Sequence, residues 1–250
     1  MDELKGRLMK ELQHDFNVKI IDSLSWSLPV HSIEISYQTV KRTKMDILMK
    51  MMLISFQKAE IASAEELSDI LLVEQLFINE LVNTMSRTGL IEKRGGSFAL
   101  TEAGEQQLEN GVYEHEPESG TKKALYSPHH EAFLSGELTK DNYEEKEIYR
   151  HQAEFHDWTV TSIEERAVLN ALKTMAIESG EGNVQVVVSE IISVSDLNIS
   201  LVPCLEFLLY NEAEDLFYAR VWNTLSEHWD ETLETQLNDK ERKEWRETYL

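Results

Sequence analysis

The chain has 250 residues, 42% of them hydrophobic, with 46 acids against 24 bases, a formal charge of −22 and one cysteine, Cys204. That length holds one large or two ordinary domains, and a lone thiol excludes an internal disulfide framework and a cysteine-based zinc site. The negative field opposes nucleic-acid binding by bulk charge and favours basic partner surfaces.

The charge is unevenly spread: residues 1–40 carry 6 acids and 4 bases, 41–111 carry 11 and 8, and 112–250 carry 29 and 12. No apolar run approaches the roughly 18 residues of a membrane span, and MDELKGRLMKEL lacks the apolar region of a secretory signal, so a cytoplasmic protein is expected. Residues 3–15 read as a helix. Strand character follows in Phe16–Asp22 and Ser25–Val40, where Ile33, Ile35 and Tyr37 alternate with Ser32, Glu34 and Ser36. Pro29 is expected at a bend or a sheet edge. Lys41, Arg42 and Lys44 make Val40–Lys44 the most basic short segment.

Met45–Phe56 reads as an apolar helix buried on most sides. Ser63-Ala-Glu-Glu66 is a capping box that opens a second helix to Leu72. A third helix runs from the turn at Val73–Glu74 to Arg87 and closes at Gly89. Two short apolar runs, Gly89–Lys93 and Ser97–Leu100, flank the turn Arg94–Gly95–Gly96, whose glycines permit the positive φ of a tight hairpin. Thr101 then caps a helix over Glu102–Leu108.

The pattern is carried by Ile47, Leu48, Met51 and Met52 in the first helix, Leu67, Ile70 and Leu71 in the second, and Ile78, Leu81, Val82 and Met85 in the third. Its most specific part is the phrase Gly89-Leu-Ile-Glu92 … Leu100-Thr-Glu-Ala-Gly104 … Leu108. Residues 45–109 resemble the winged helix-turn-helix superfamily in its MarR-like arrangement. The resemblance implies a fold for that segment and no function by itself. In regulators of this kind the third helix enters the major groove and the wing touches the backbone. The third helix here presents Glu74, Gln75, Phe77, Asn79, Glu80, Asn83 and Arg87, and its carboxylates oppose phosphate. Five bases, Lys41, Arg42, Lys44, Lys93 and Arg94, stand against that; strong salt-dependent DNA binding takes about six or more phosphate contacts. Gln75, Asn79, Asn83, Arg87, Lys93 and Arg94 are therefore the candidate face for protein or DNA, with Lys41, Arg42 and Lys44 as an adjoining basic segment. By analogy, such modules also serve as accessory subunits of chromosome-handling ATPases and of bacterial defence complexes.

Residues 111–130 lack periodicity, hold two of the four prolines and read as a linker or loop. Glu131–His156 is charged and expected to be helical, with Glu144, Glu145 and Glu147 clustered, and Glu164–Met175 is an amphipathic helix. After a turn at Glu178–Asn183 come three strand candidates, Val184–Ser193, Ile199–Tyr210 and Leu216–Leu225. The acidic turn Asn211–Asp215 joins the last two as an antiparallel hairpin. Cys204 reads as a small core residue. Tyr218, Arg220 and Trp222 share one strand face, and a solvent-side row of them would dock a partner. The terminal helix, Glu231–Tyr249, carries the thin apolar stripe Leu233, Leu237 and Trp245.

Catalytic patterns are weak. His129 and His130 are adjacent, and His151 and His156 stand five apart, where helical metal pairs prefer three or four. Glu154 and Asp157 could add carboxylates to such a site. Glu190, Asp196 and Glu206 lie near apolar strands, as in metal-dependent nuclease cores, but no lysine stands beside Glu206. Ser189, Ser193 and Ser195 lack a nucleophile elbow, and there is no glycine-rich phosphate loop. No catalytic residue, metal ligand or cofactor is assigned.

The sequence thus predicts an α+β protein: an N-terminal helix and strands over 1–40, a winged helix domain over 41–110, a linker over 111–130, and an acidic α+β domain with an antiparallel sheet over 131–250. The function expected is a non-enzymatic adaptor or accessory subunit of a larger bacterial complex, in DNA handling or defence. Its partner would be a larger protein with a basic docking surface; DNA would be reached through the assembly, and no membrane is involved. The oligomeric state is open. The alternatives are a winged-helix transcriptional regulator and a metal-dependent hydrolase using the histidines.

Overall fold

The computed structural model describes residues 1–14, 16–138 and 147–249, so Glu144 and Glu145 of the expected acidic cluster lie outside the described residues. The chain is mixed α+β. It opens with α1 (Asp2–Leu12) and β1 (Val18–Lys44), followed by α2 (Ile47–Lys58), α3 (Ala64–Leu71) and α4 (Gln75–Arg87). The hairpin β2 (Ile91–Arg94) and β3 (Ser97–Leu100) leads to α5 (Glu102–Asn110), β4 (Val112–Glu114), β5 (Glu118–Ser127) and β6 (Ala132–Leu134). After two 3-10 turns, Gln152–Phe155 and Val160–Ser162, come α6 (Glu165–Thr174), β7 (Ser179–Glu181), β8 (Val184–Asn211), β9 (Leu216–Asn223), β10 (His228–Trp229) and α7 (Glu231–Tyr249). The strand order is β10-β9-β8-β1-β5-β6, with β4 on β1 and β7 on β8. Among the described residues no helix is long and apolar enough to cross a membrane.

Several boundaries differ from expectation. The two strands expected before Lys41 are one strand, β1, and Pro29 sits buried inside it. A proline removes a single strand donor, and its fixed φ is compatible with extended backbone. Val184–Ser193 and Ile199–Tyr210 are likewise one strand, β8. The stretch 111–130 is not a linker: β4 pairs antiparallel with β1 (Arg42↔Glu114 to Lys44↔Val112), and β5 pairs with β6. The described part of 131–156 holds β6 and a 3-10 turn instead of an α-helix, and β7 occupies half of the expected turn at Glu178–Asn183, leaving the turn at residues 182–183. The compact units also cut across the expected domains. The first comprises residues 1–35, 122–168 and 194–250, and the second 36–121 and 169–193.

In the first unit, the hairpin β8–β9 runs antiparallel from Cys204↔Asn223 to Asn211↔Leu216, as expected. Because side chains alternate across a strand, Cys204, Leu208, Phe217, Ala219 and Val221 join one core with Leu233, Leu237 and Trp245 of α7. Leu205, Phe207 and Leu209 join another with the fully buried Leu8 of α1. Strand residues 202–209 are buried on both faces, which explains why they are apolar apart from Glu206. Burial pushes the Cys204 thiol well above its usual range, consistent with a core residue. Asp230 starts α7 by accepting from the Leu233 amide at 3.2 Å.

The row Tyr218, Arg220 and Trp222 does share one face, but it is not a solvent-side row. Tyr218 and Trp222 pack with the α1 cluster, and Arg7 lies 5.9 Å above the Trp222 ring. Arg220 lies 4.4 Å above Trp229 and donates to Glu234 at 2.8 Å. The chain's own N-terminal helix covers the surface that a partner would have used.

In the second unit, α2 to α5 and the hairpin close one core. Met49, Met52, Leu53 and Phe56 of α2 point inward with Leu67 of α3 and Ile78, Val82 and Met85 of α4. This stripe leaves Ile47 and Met51, expected in the core, 75% and 45% exposed, because they fall on the opposite side of α2. Asp46 caps α2 through the Leu48 amide at 2.8 Å. Ser63 caps α3 through the Glu66 amide at 3.2 Å, while Glu66 reaches back to the Ala62 amide at 3.0 Å. The hairpin holds Ile91↔Leu100 to Arg94↔Ser97 around Gly95 (φ +61) and Gly96 (φ +98), both in the positive region that glycine favours. Thr101 accepts from the Gly104 amide at 3.0 Å and donates to the Gly89 carbonyl at 2.5 Å, locking the start of α5 to the end of α4.

Gly104 is required there by space: a Cβ would stand 2.0 Å from the Leu90 carbonyl oxygen. Gly104→Ala is expected to destabilise the fold by about 1–3 kcal/mol, read as a lower midpoint in urea denaturation. An unchanged midpoint would show that the α5–Leu90 approach is looser than described.

Candidate functional site

The exposed surface of α3 and α4 is built by amphipathicity and one unusual turn. Buried Ile78, Val82 and Met85 turn one side of α4 to the core, so Gln75, Asn79, Glu80, Asn83 and Arg87 face solvent, as expected. Four apolar side chains accompany them within eight residues: Ile70 (55% exposed), Leu72 (91%), Leu76 (70%) and Phe77 (56%). Leu72 ends α3 in the left-handed region at φ 55° and ψ 40°, a conformation that costs a branched residue roughly 1–2 kcal/mol. Ser68 holds the turn by donating to the Val73 carbonyl at 2.6 Å. At 91% exposure Leu72 adds almost no buried area to the unit.

Charge around these residues has one sign. Between Lys58 and Arg87 there is no lysine or arginine, while Glu60, Glu65, Glu66, Asp69, Glu74 and Glu80 are all exposed. Of the bases expected to contact phosphate, the three arginines are paired within the unit. Arg42 donates to Glu114 at 2.7 Å, Arg87 pairs with Glu116 at 3.1 Å, and Arg94 pairs with Glu92. Lys93 lies 5.0 Å above the Phe98 ring, while Lys41 and Lys44 are exposed. Glu114 and Glu116 belong to the stretch read as a linker, so nothing local signalled two of those pairings.

The acids and histidines of the first unit are engaged in structural networks. Buried Glu206 accepts from Trp26 Nε1 at 2.6 Å and from both terminal nitrogens of Arg150 at 2.8 Å. Arg150 also donates to Glu241 at 2.5 and 2.7 Å, and His151 Nε2 stands 2.7 Å from the same carboxylate. Burial works against the charged guanidinium, but the two carboxylates outweigh it and hold Arg150 above its usual range. Asp196 pairs with His31 Nδ1 at 2.7 Å. Along β8, Ser189, Glu190 and Ser193 of the second unit and Ser195 of the first are exposed.

Ser127, His130 and Asp230 form a chain, Oγ to Nδ1 at 2.7 Å and Nε2 to both carboxylate oxygens at 3.0 Å. Ser127 is fully buried and Asp230 caps α7, so the chain ties β5 to the α7 start and gives no substrate access to the hydroxyl. His129 meets Gln152 at 2.7 Å, and His156 is exposed beside Asp157. Among the described residues no group of three or more His, Cys, Asp or Glu side chains is placed to hold a metal ion.

Comparison with known proteins finds no family model, no curated protein and no solved structure that matches the chain. The functional reading rests on these residues.

Removing Arg150 would strand a buried carboxylate. Arg150→Met should cost near the lower end of about 3–5 kcal/mol, since the arginine itself is partly exposed, and Arg150→Met/Glu206→Leu should recover much of it. Equal losses in the single and double variants would mean that the pair does not act as a unit. Asp230 supplies a pH signature: burial alone would raise its carboxyl, but His130, Asn223 and the Leu233 amide hold it below the usual range. Its contribution is therefore complete above the unfolded carboxylate value, near about pH 4, and is lost as pH falls through its lower folded value. Asp230→Asn, which keeps a capping side chain, should flatten the acid limb of a stability-versus-pH curve; an unaltered slope would assign that limb elsewhere.

Proposed function

We propose that the protein is a non-enzymatic adaptor whose residues 45–109 form a winged helix turned to protein contact. The observation that carries this reading is the exposed group Ile70, Leu72, Leu76 and Phe77, set among six exposed acids with no base between Lys58 and Arg87. Covering each large apolar side chain would contribute about 1.5–3 kcal/mol, and the acidic rim would steer a partner whose apolar patch is flanked by lysine or arginine. A second copy of this chain would set acid against acid, so the occupant is a different, basic-rimmed protein. DNA repels this face for the same reason. The pairing of Arg42, Arg87 and Arg94 with carboxylates counts further against the regulator alternative. The structural roles of Glu206, Asp230 and His130 count against the hydrolase.

The test is purification of the tagged chain from its own host near physiological salt, with nuclease treatment. A protein partner should persist after nuclease and be lost on Leu76→Asp/Phe77→Asp, with stability changed by no more than about 0.5 kcal/mol because both side chains are exposed. Lys93→Glu/Arg94→Glu should leave that association intact. Retention of the partner by the Leu76/Phe77 variant, or recovery of nucleic acid alone, would overturn the reading.

A further inference from the structure

The second unit contains a cleft whose charge is opposite to that of the chain. It has a volume of about 460 Å³ and is formed where the end of β1, the start of α2, the α5–β4 junction and the β7–β8 turn meet. Arg42, Lys44 and Lys50 line it together with the amides Asn110, Asn183 and Gln185, and no carboxylate is among the described residues that line it. In a protein with a net charge of −22, two lysines beside an arginine that is shared with Glu114 are a local inversion. Lys44 and Lys50 are exposed and form no ion pair with a described residue. Arg42 uses Nε for Glu114, which lies outside the lining, and its terminal nitrogens remain for a ligand.

We infer that this cleft binds a small phosphorylated ligand of nucleotide size. Its volume falls within the range of small-molecule sites. Its chemistry is that of a phosphate site: two ammonium groups as point charges, a planar guanidinium that can bridge two oxygens, and neutral amides able to donate without adding charge. Low-dielectric walls concentrate the field of the three cations inside the cleft, where the acidic surface beyond is least felt. A nucleic-acid strand is the poorer occupant. The guanidiniums that would extend a phosphate track, Arg87 and Arg94, are paired with Glu116 and Glu92. A long polyanion would also meet the whole negative field, whereas a small ligand meets only the cleft. The sequence singled out Lys41, Arg42 and Lys44, but Lys50 and the three amides join them only in the folded unit. This inference is independent of the docking surface on α3 and α4.

The experiment is titration of the full chain with inorganic pyrophosphate, ATP and a single-stranded oligonucleotide, followed by calorimetry at moderate salt. ATP should bind saturably at one site, pyrophosphate should compete with it, and Lys44→Glu/Lys50→Glu should weaken ATP by at least about tenfold with an unchanged circular dichroism spectrum. Gln185→Glu, which adds an acid and keeps both lysines, should weaken it in the same direction. Lys41→Glu and Lys93→Glu, outside the lining, should have little effect. The inference is overturned if neither ATP nor pyrophosphate binds, if only the oligonucleotide saturates, or if Lys41→Glu weakens ATP as much as the cleft variants, since that is bulk attraction.

Discussion

The register of β8 against β9 decides what every neighbouring element of the first unit can be. With Leu205 opposite Trp222 and Glu206 opposite Val221, one set of side chains must be covered by α1 and the other by α7. A slip of β8 by one residue would exchange its faces, turning Glu206 toward α1, away from Trp26 and Arg150. The N-terminal helix, which carries few apolar residues, gains its place because Leu8 completes the second face. That covering also removes the Tyr218–Arg220–Trp222 row as a docking surface.

Buried charge follows from the same geometry. Glu206 points into the α7 side of the sheet, and a carboxylate there requires hydrogen-bond donors on both oxygens. Trp26 and Arg150 supply them, and Glu241 of α7 completes the set from the other side of Arg150. Acids that look like ligands or catalysts in a list of residues are thus committed to holding the chain in one register. The Ser127–His130–Asp230 chain is similar: its members have the types of a hydrolase triad, but burial and the capping role of Asp230 make it a tether.

The second unit treats charge differently. Its α3–α4 surface is acidic around exposed apolar side chains, while the described lining of its cleft beside α5 gathers three bases. A single net charge for the chain describes neither. Field strength near a surface depends on the few charges within about 10 Å, so two local signs can coexist and recruit different chemistry.

Local features were readable in the sequence because their causes are local. The Ser63 cap, the paired glycines at 95 and 96, the Thr101 cap and the period of Leu233, Leu237 and Trp245 each act within a few residues, and each is found where expected. The continuity of β1 and β8, the strands of residues 112–127, and the ion pairs Arg42–Glu114 and Arg150–Glu206 were not readable. The two ion pairs join residues 72 and 56 apart in the chain. The exposed residues of α4 were legible from helical period, but which nearby bases remained available for a ligand was not. An ion pair has no periodicity, and only the tertiary structure brings its two halves together.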